Sequence, residues 1–135
     1  MNRIYTIYST IEEIPIASRQ MHDYINSLSE NDYALLATVF VLGRSGWHRG
    51  YEETNEYHIF VENKASDGIQ VNQQMSDDKF LSKANKKEQF DATHQYERLT
   101  SSKVDGVYRH NWLSLKTNLI SEVKKGLVML EEITD

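Results

Sequence analysis

Eight residues near the middle of the chain, from Gly43 to Gly50, combine the side chains best suited to holding a small molecule. Three glycines in this segment allow a ligand to approach the backbone closely. Arg44 and Arg49 offer forked N–H donors for a carboxylate or phosphate, and Trp47 can stack on a base or ring. His48 can titrate near neutral pH. The predicted ligand-binding residues of this loop are Arg44, Trp47, His48 and Arg49.

The same loop departs from phosphate-binding patterns in three ways. It lacks the Gly-Lys-Ser/Thr ending of a P-loop. It follows the C-terminal end of a predicted helix, whose partial negative charge disfavours anions. Glu52 and Glu53 stand where the next helix would otherwise present free N–H groups. The alternative interpretation is structural: a glycine ends the helix, Arg44 interacts with the helix dipole, and Trp47 packs on the core.

Other spacings that suggest chemistry fit a solvated surface better. Asp91, His94 and Glu97 follow one another at steps of three, but residues six apart on a helix point about 120° apart. His58 and Glu62 supply only one imidazole, and no His-Glu-x-x-His pattern occurs. The sequence has no cysteine and no Gly-x-Ser-x-Gly segment. We therefore expect no catalytic residue, no metal site and no cofactor, and we favour a protein that is not an enzyme.

Hydrophobic periodicity predicts the helices that position the loop. Tyr33–Leu42 is apolar nearly all round and must be covered on most faces, so we expect it at the centre of the core. Ser29 stands three residues before Asp32, as in a capping box, and Gly43 is predicted to end this helix. Tyr108–Ile133 carries a sustained apolar stripe and predicts a long amphipathic helix that packs along the central one.

The flanking segments are less regular. Ile4, Ile7, Ile11 and Ile14 recur at helical spacing, although residues 4–8 also fit a strand, and a second helix is predicted after Pro15. Residues 51–65 fit a helix, with a short β-hairpin within 56–73 as the alternative, because Asp67-Gly68 can form a turn. Residues 70–78 are predicted to be a loop, and 76–99 a polar helix broken near Asp91. Asp105-Gly106 is predicted to be a turn.

Length and composition place these elements in one domain. A chain of 135 residues, 39% hydrophobic and 26% charged, fits a single helical domain over residues 1–135. The predicted fold class is all-α, a small bundle of four to six helices. The longest apolar run has ten residues, about half of a bilayer span, and Met1 to Pro15 shows no signal-peptide pattern. We therefore expect a cytoplasmic protein with no membrane contact.

Charge is distributed unevenly along the chain. Residues 1–78 carry a net charge of −7, residues 79–125 of +5, and residues 126–135 of −3. The acidic first part would repel the phosphates that the basic stretch could attract, so nucleic acid is not the expected partner. The oppositely charged parts either face each other or are simply solvated.

One stretch resembles a known family. Between Met21 and Gly46, an Asn-containing helix end and acidic residues precede an apolar helix that closes in Leu42-Gly43-Arg44-Ser45-Gly46. This order is similar to an uncharacterised family of small bacterial helical proteins, domain of unknown function 3775, whose members close in Leu-Gly-Arg-Gly. Residues 119–127, which end in Lys-Lys-Gly-Leu, are a looser second similarity. The resemblance covers about a third of the chain and implies a helical fold in a bacterial or phage-like setting, without an activity.

The functional expectation follows from these observations. Eight tyrosines, a long apolar C-terminal stripe and the lack of a catalytic motif favour a small interaction or regulatory protein. Such a protein acts through a protein partner or as a homo-oligomer. The alternative is a small-ligand or nucleotide-binding protein that uses the Gly43–Gly50 loop.

Overall fold

The structure is a computed structural model that describes residues 2–108 and 111–134. The described part of the chain is mostly helical, with seven α-helices and one short antiparallel hairpin. The helices are α1 (Asn2–Ile11), α2 (Arg19–Ser27), α3 (Glu30–Ser45), α4 (Asn55–Ser66), α5 (Gln73–Phe80), α6 (Lys83–Thr100) and α7 (Leu119–Leu130). The hairpin strands are β1 (Lys103–Val104) and β2 (Val107–Tyr108), and 3-10 turns lie at Gly50–Glu53 and Leu113–Leu115.

The first two helices form as their apolar spacing predicts. Ile4, Ile7 and Ile11 recur along one face of α1, and all three side chains are fully buried. Ser18 begins α2, because its hydroxyl accepts a hydrogen bond from the backbone N–H of Met21 at 3.1 Å. The prediction of two helices is confirmed, and the strand alternative for residues 4–8 is wrong.

The predicted central helix is the centre of the core. Ser29 caps α3, with its hydroxyl accepting a hydrogen bond from the backbone N–H of Asp32 at 3.1 Å. Every residue from Tyr33 to Phe40 is buried. The helices that cover α3 most extensively are α7 and α6. The apolar side chains on all faces of α3 can be buried because helices pack against more than one side of it.

α3 and α7 approach each other closely at two glycines. A Cβ atom placed on Gly43 would lie 1.8 Å from the backbone oxygen of Glu122. A Cβ placed on Gly126 would lie 2.1 Å from the backbone oxygen of Val39. A side chain at either position would require the backbones to move, so these glycines set the distance between the two helices.

The hairpin holds one tyrosine against this core. Asp105 and Gly106 both have positive φ, +54° and +81°, which is the backbone that a tight two-residue hairpin requires. The predicted turn is therefore confirmed. The Tyr108 ring is stacked on Tyr33 with 4.3 Å between ring centroids, and its hydroxyl donates a hydrogen bond to the backbone oxygen of Leu28 at 2.6 Å.

Residues 50–80 form a separate layer beside the core, and we call them the acidic lobe because they carry a net charge of −5. The first 3-10 turn, α4 and α5 meet around the ring of Phe80. Its centroid lies 5.0 Å from that of Tyr51, 5.9 Å from that of Tyr57 and 5.6 Å from that of Phe60. No residue of α4 is buried, whereas nine residues of α3 are. The lobe is therefore held by a small aromatic cluster of its own.

The number of helices exceeds the predicted four to six. The polar middle of the chain forms two separate helices, α5 and α6, each of which begins at its own capping residue. The predicted loop over residues 70–78 is wrong from Gln73 onward, since the Asn72 side chain caps α5. The predicted break near Asp91 is also wrong. The chain breaks instead before Ser82, which caps α6, and α6 then continues to Thr100.

Two further predictions are corrected. The hairpin alternative within residues 56–73 is wrong, because the Thr54 hydroxyl accepts a hydrogen bond from the backbone N–H of Tyr57 and begins α4 there. The long helix predicted over Tyr108–Ile133 is shorter: α7 covers residues 119–130, after strand β2 and a 3-10 turn. The expected packing of this segment along α3 is confirmed for α7.

Candidate functional site

The Gly43–Gly50 loop is shorter than predicted, because α3 continues through its first three residues and ends at Ser45. Gly46 ends the helix with a φ of +74°, a conformation that favours glycine. Its N–H donates a hydrogen bond to the backbone oxygen of Leu42 at 2.8 Å. The prediction that Gly43 ends the helix is therefore wrong. Residues 47–49 then lead into the 3-10 turn of the acidic lobe.

Trp47 ties the loop to the end of α7. Its ring is half-buried against the core, and its Nε1 donates a hydrogen bond to Oε2 of Glu132 at 2.7 Å. Lys86 of α6 lies on the same carboxylate, with its Nζ 3.2 Å from Oε1, and 5.8 Å from the centroid of the Trp47 ring. These contacts join the loop, α6 and the segment after α7. The indole N–H is thus already used within the molecule.

Arg49 ties the loop to the acidic lobe. Its Nε and Nη2 each lie 3.4 Å from an oxygen of Asp77 in α5. The same carboxylate accepts hydrogen bonds from the hydroxyl of Tyr51 and, at 2.9 Å, from Nε2 of Gln73. The hydrogen bond from Tyr51, together with those from Gln73 and Arg49, holds the pKa of Asp77 below its ordinary value. Burial and the hydrogen bond to Asp77 raise the pKa of Tyr51 to about 12.

Arg44 and His48 point elsewhere. The guanidinium of Arg44 lies 5.4 Å from the centroid of the Phe40 ring, on the side of α3 that faces Glu97. Burial raises the pKa of the Glu97 carboxyl, and the charge of Arg44 offsets part of that rise. His48 is exposed, and its backbone N–H donates a hydrogen bond to Oε1 of Gln89 at 2.9 Å.

The four predicted ligand-binding residues therefore border three different clefts. Trp47 and Arg49 border a cleft of about 540 Å³ between the loop, α5, α6 and α7. Trp47 and His48 border a smaller one of about 190 Å³ against α6. Arg44 borders a third, of about 360 Å³. Trp47 shares one cleft with Arg49 and another with His48. Arg44 shares no cleft of these three with the other predicted residues.

The largest of these three clefts is poorly suited to phosphate. Its charged lining residues are two basic and three acidic, namely Arg49, Lys86, Asp77, Asp78 and Glu132. Arg49 and Lys86 each already face one of these carboxylates. A phosphate would have to displace those pairs and would then lie beside three carboxylates, which costs electrostatic energy. The cleft is chemically better matched to a neutral polar or cationic molecule than to a nucleotide.

The outer surface of the acidic lobe has no local signal in the sequence. Ile59 of α4 is 57% exposed, and a shallow groove of about 480 Å³ runs beside the same helix. The apolar side chains along the groove are those of Tyr57, Val61, Ala65, Ile69 and Val71. Exposed apolar surface of this kind is typical of contact sites between proteins.

Unpaired carboxylates lie on the same lobe as the exposed side chain of Ile59. In the part of the chain that the structure describes, none of the five exposed carboxylates of the first 3-10 turn, α4 and the turn after it lies in an ion pair; they are Glu52, Glu53, Glu56, Glu62 and Asp67. The one basic residue of α4, Lys64, lies over the Phe60 ring, 5.8 Å from its centroid. The lobe therefore presents uncompensated negative charge beside apolar side chains.

The metal-like spacings of the sequence do not converge. Within residues 2–108 and 111–134, no group of three or more histidine or acidic side chains is placed to hold a metal ion. Nε2 of His94 lies 3.3 Å from the backbone oxygen of Asn31, so its ring contacts α3. None of the described helices combines the length and apolar composition needed to cross a bilayer.

Comparisons with known proteins leave the family open. The chain matches no protein-family model, no curated protein and no solved structure. The resemblance of residues 21–46 to domain of unknown function 3775 therefore stays a prediction.

Proposed function

We propose that this chain is a small non-enzymatic interaction protein that contacts its partner through the acidic lobe. The observation that carries the proposal is α4, a 12-residue helix without a buried residue. Such a helix adds little to the core, yet it holds Ile59 in solvent beside unpaired carboxylates. Covering Ile59 would remove apolar surface from water, which stabilises a complex by about 25 cal/mol per Å².

The contacts at the base of the lobe support the same proposal. Phe80, Tyr51 and Tyr57 fix α4 on α5, and the hydrogen bonds to Asp77 fix α5 on the loop. The outer face is therefore presented on ordered elements, so that binding would not have to order it first. A preformed surface loses less conformational entropy when a partner binds.

Site-specific photo-crosslinking tests this proposal. A photoreactive amino acid replaces Ile59 or Ile69 on the lobe, and a matched control replaces Ile16, which is 49% exposed in the turn between α1 and α2. The full chain is expressed in cells, irradiated, and analysed for crosslinked protein. We expect specific products from positions 59 and 69 and none from position 16. Equal products from all three positions, or none from 59 and 69, would contradict the proposal.

A second candidate function is the binding of a small molecule in the cleft between Trp47 and Arg49. The observation in its favour is that these two predicted residues border one cleft of about 540 Å³. A ligand at a hundred times its dissociation constant adds about 2.7 kcal/mol to stability, which corresponds to a rise of several degrees in the melting temperature. We expect neutral polar or cationic compounds to give the shift more readily than nucleotides.

Two arginine variants separate this candidate from non-specific effects. Arg49→Ala is expected to abolish the ligand-induced shift, whereas Arg44→Ala is the matched control because Arg44 lies on a different cleft. A melting temperature that stays unchanged across neutral, cationic and anionic compounds would argue against a ligand in this cleft.

A further inference from the structure

We infer that the cleft beside Arg44 binds a free α-amino acid with an aromatic or large apolar side chain. This cleft, of about 360 Å³, lies between the C-terminal ends of α3 and α6 and the side chain of Trp112. Its size falls within the range of about 300–1,000 Å³ that is typical of small-molecule pockets. The inference goes beyond the proposed function, because it concerns a different surface from the acidic lobe.

The cleft holds one cation and one carboxylate that have no partner. Among the described residues that line it, only Arg44 and Glu97 carry a charge at neutral pH. Within residues 2–108 and 111–134, neither charged group takes part in a hydrogen bond or lies within 4.0 Å of an opposite charge. A molecule that carries both a carboxylate and an ammonium group can pair with the two residues at once.

The guanidinium of Arg44 is placed to receive the carboxylate of the ligand. Side chains of an α-helix tilt towards its N-terminus. This guanidinium accordingly lies 5.4 Å from the centroid of the Phe40 ring, one turn before the end of α3. It therefore stands away from the last carbonyl groups of the helix, whose partial negative charge disfavours an anion. Its planar fork can donate two parallel hydrogen bonds to a carboxylate.

The carboxylate of Glu97 is placed to receive the ammonium group. Burial raises the pKa of Glu97, because part of the water that would solvate the charge is excluded. An ammonium ion would replace that lost solvation with a charge-assisted hydrogen bond. α6 ends at Thr100, three residues further on, and the partial negative charge of this helix end also favours a cation. The two ends of an amino acid are therefore matched to opposite sides of the cleft.

Apolar side chains line the cleft between the two charges. They are those of Val41, Tyr96 and Trp112. Trp112 is already held in place, since its ring centroid lies 5.5 Å from that of Phe40 and 5.9 Å from Nζ of Lys116. Tyr96 is 64% exposed, so a ligand can cover it. An aromatic or large aliphatic ligand side chain would lose contact with water here, which favours binding.

Isothermal titration calorimetry of the full chain with L-phenylalanine and two analogues tests the inference. Phenethylamine lacks the carboxylate, and 3-phenylpropionate lacks the ammonium group. We expect L-phenylalanine to bind, and each analogue to bind at least about tenfold more weakly, because it leaves one charge of the cleft unpaired.

Two variants assign the charges to their residues. Arg44→Gln should remove the preference for L-phenylalanine over phenethylamine, and Glu97→Gln should remove the preference over 3-phenylpropionate. Arg19→Gln and Glu88→Gln, which change exposed residues outside the cleft, are the matched controls and should keep both preferences. Circular dichroism and melting temperature show that each variant remains folded.

Three results would overturn the inference. The first is that none of L-phenylalanine, L-leucine and L-tryptophan binds. The second is that the analogues bind as well as L-phenylalanine, or that Arg44→Gln leaves its affinity unchanged. The third is that Arg44 and Glu97 stabilise each other in a double-mutant cycle of unfolding while no amino acid binds, which would make them a surface ion pair. None of these results affects the crosslinks expected from the acidic lobe, so the proposed function is tested separately.

Discussion

The close approach of α3 and α7 at Gly43 gives the sharpest prediction about stability. The perturbation is Gly43→Ala, which adds one methyl group where the backbone oxygen of Glu122 would lie 1.8 Å away. Contacts of a Cβ below 3.0 Å are essentially never found, so the two helices must separate by about 1.2 Å at this point. That movement loosens the contacts between the buried side chains of α7 and α3, among them Val123 and Leu127.

Two opposing effects set the size of the change in the free energy of unfolding that Gly43→Ala causes. Overpacking a core of this kind costs about 1–3 kcal/mol and sometimes more. Alanine is favoured over glycine within a helix by up to about 1 kcal/mol, which offsets part of that cost. We therefore expect a net loss of about 1–2 kcal/mol in the free energy of unfolding. For a chain of this length, that lowers the melting temperature by roughly 3–12 °C.

Urea denaturation followed by circular dichroism measures the change. Ser45→Ala is the matched control, because Ser45 is an exposed residue of the same helix and gains from alanine without a clash. The double variant Gly43→Ala/Gly126→Ala should lose less than the sum of the two single losses, since one separation of the helices accommodates both methyl groups. A Gly43→Ala protein as stable as Ser45→Ala would refute the reasoning.

The cap of α3 and two buried tyrosines give three further tests, each read by chemical denaturation. Ser29→Ala should lower the free energy of unfolding by about 1 kcal/mol because the cap to Asp32 is lost, and an unchanged midpoint would contradict this. Tyr108→Phe should cost about 1–3 kcal/mol because the buried oxygen of Leu28 loses its donor, whereas Tyr5→Phe, at an exposed ring, should cost almost nothing. Burial raises the pKa of Tyr33 from 10.0 to about 12, so the stability it contributes is complete below pH 10 and is lost as the pH rises towards 12. A Tyr33→Phe protein with the same alkaline loss as the wild type would argue against this assignment.

The centre of the fold can be predicted because the signals that mark it are local in sequence. Features that depend on contacts between distant residues cannot be predicted in this way. The cap at Ser29 and the apolar run that follows act within a few residues, so α3 could be recognised from the sequence. The boundaries of α5 and α6 were missed because their few apolar residues give a weak period. The signals that mark them are the capping side chains of Asn72 and Ser82, which look like ordinary polar loop residues until a helix follows.

In the candidate site, too, the residues could be predicted from the local sequence but their contacts could not. Its residues are neighbours in sequence, but the turn at Gly46 sends Trp47 and Arg49 away from Arg44. The acceptor that holds Arg49, Asp77, lies 28 residues further along the chain, and no local pattern links the two. The negative charge of the lobe was visible in the composition. The exposure of Ile59 was not visible in the composition, because it follows from the position of α4 outside the core, where none of its residues is buried.

The order of the elements has a consequence for the synthesis of this protein. α3 is apolar on nearly every face, yet α6 and α7, which cover it, follow it in the chain, and α7 ends at Leu130. At about 5–20 residues per second, roughly 4–17 s pass between the synthesis of Ser45 and that of Leu130. Until α6 and α7 have left the ribosome and packed on it, α3 is an incompletely covered apolar segment that chaperones and neighbouring nascent chains can contact. The arrival of α7 decides when that exposure ends.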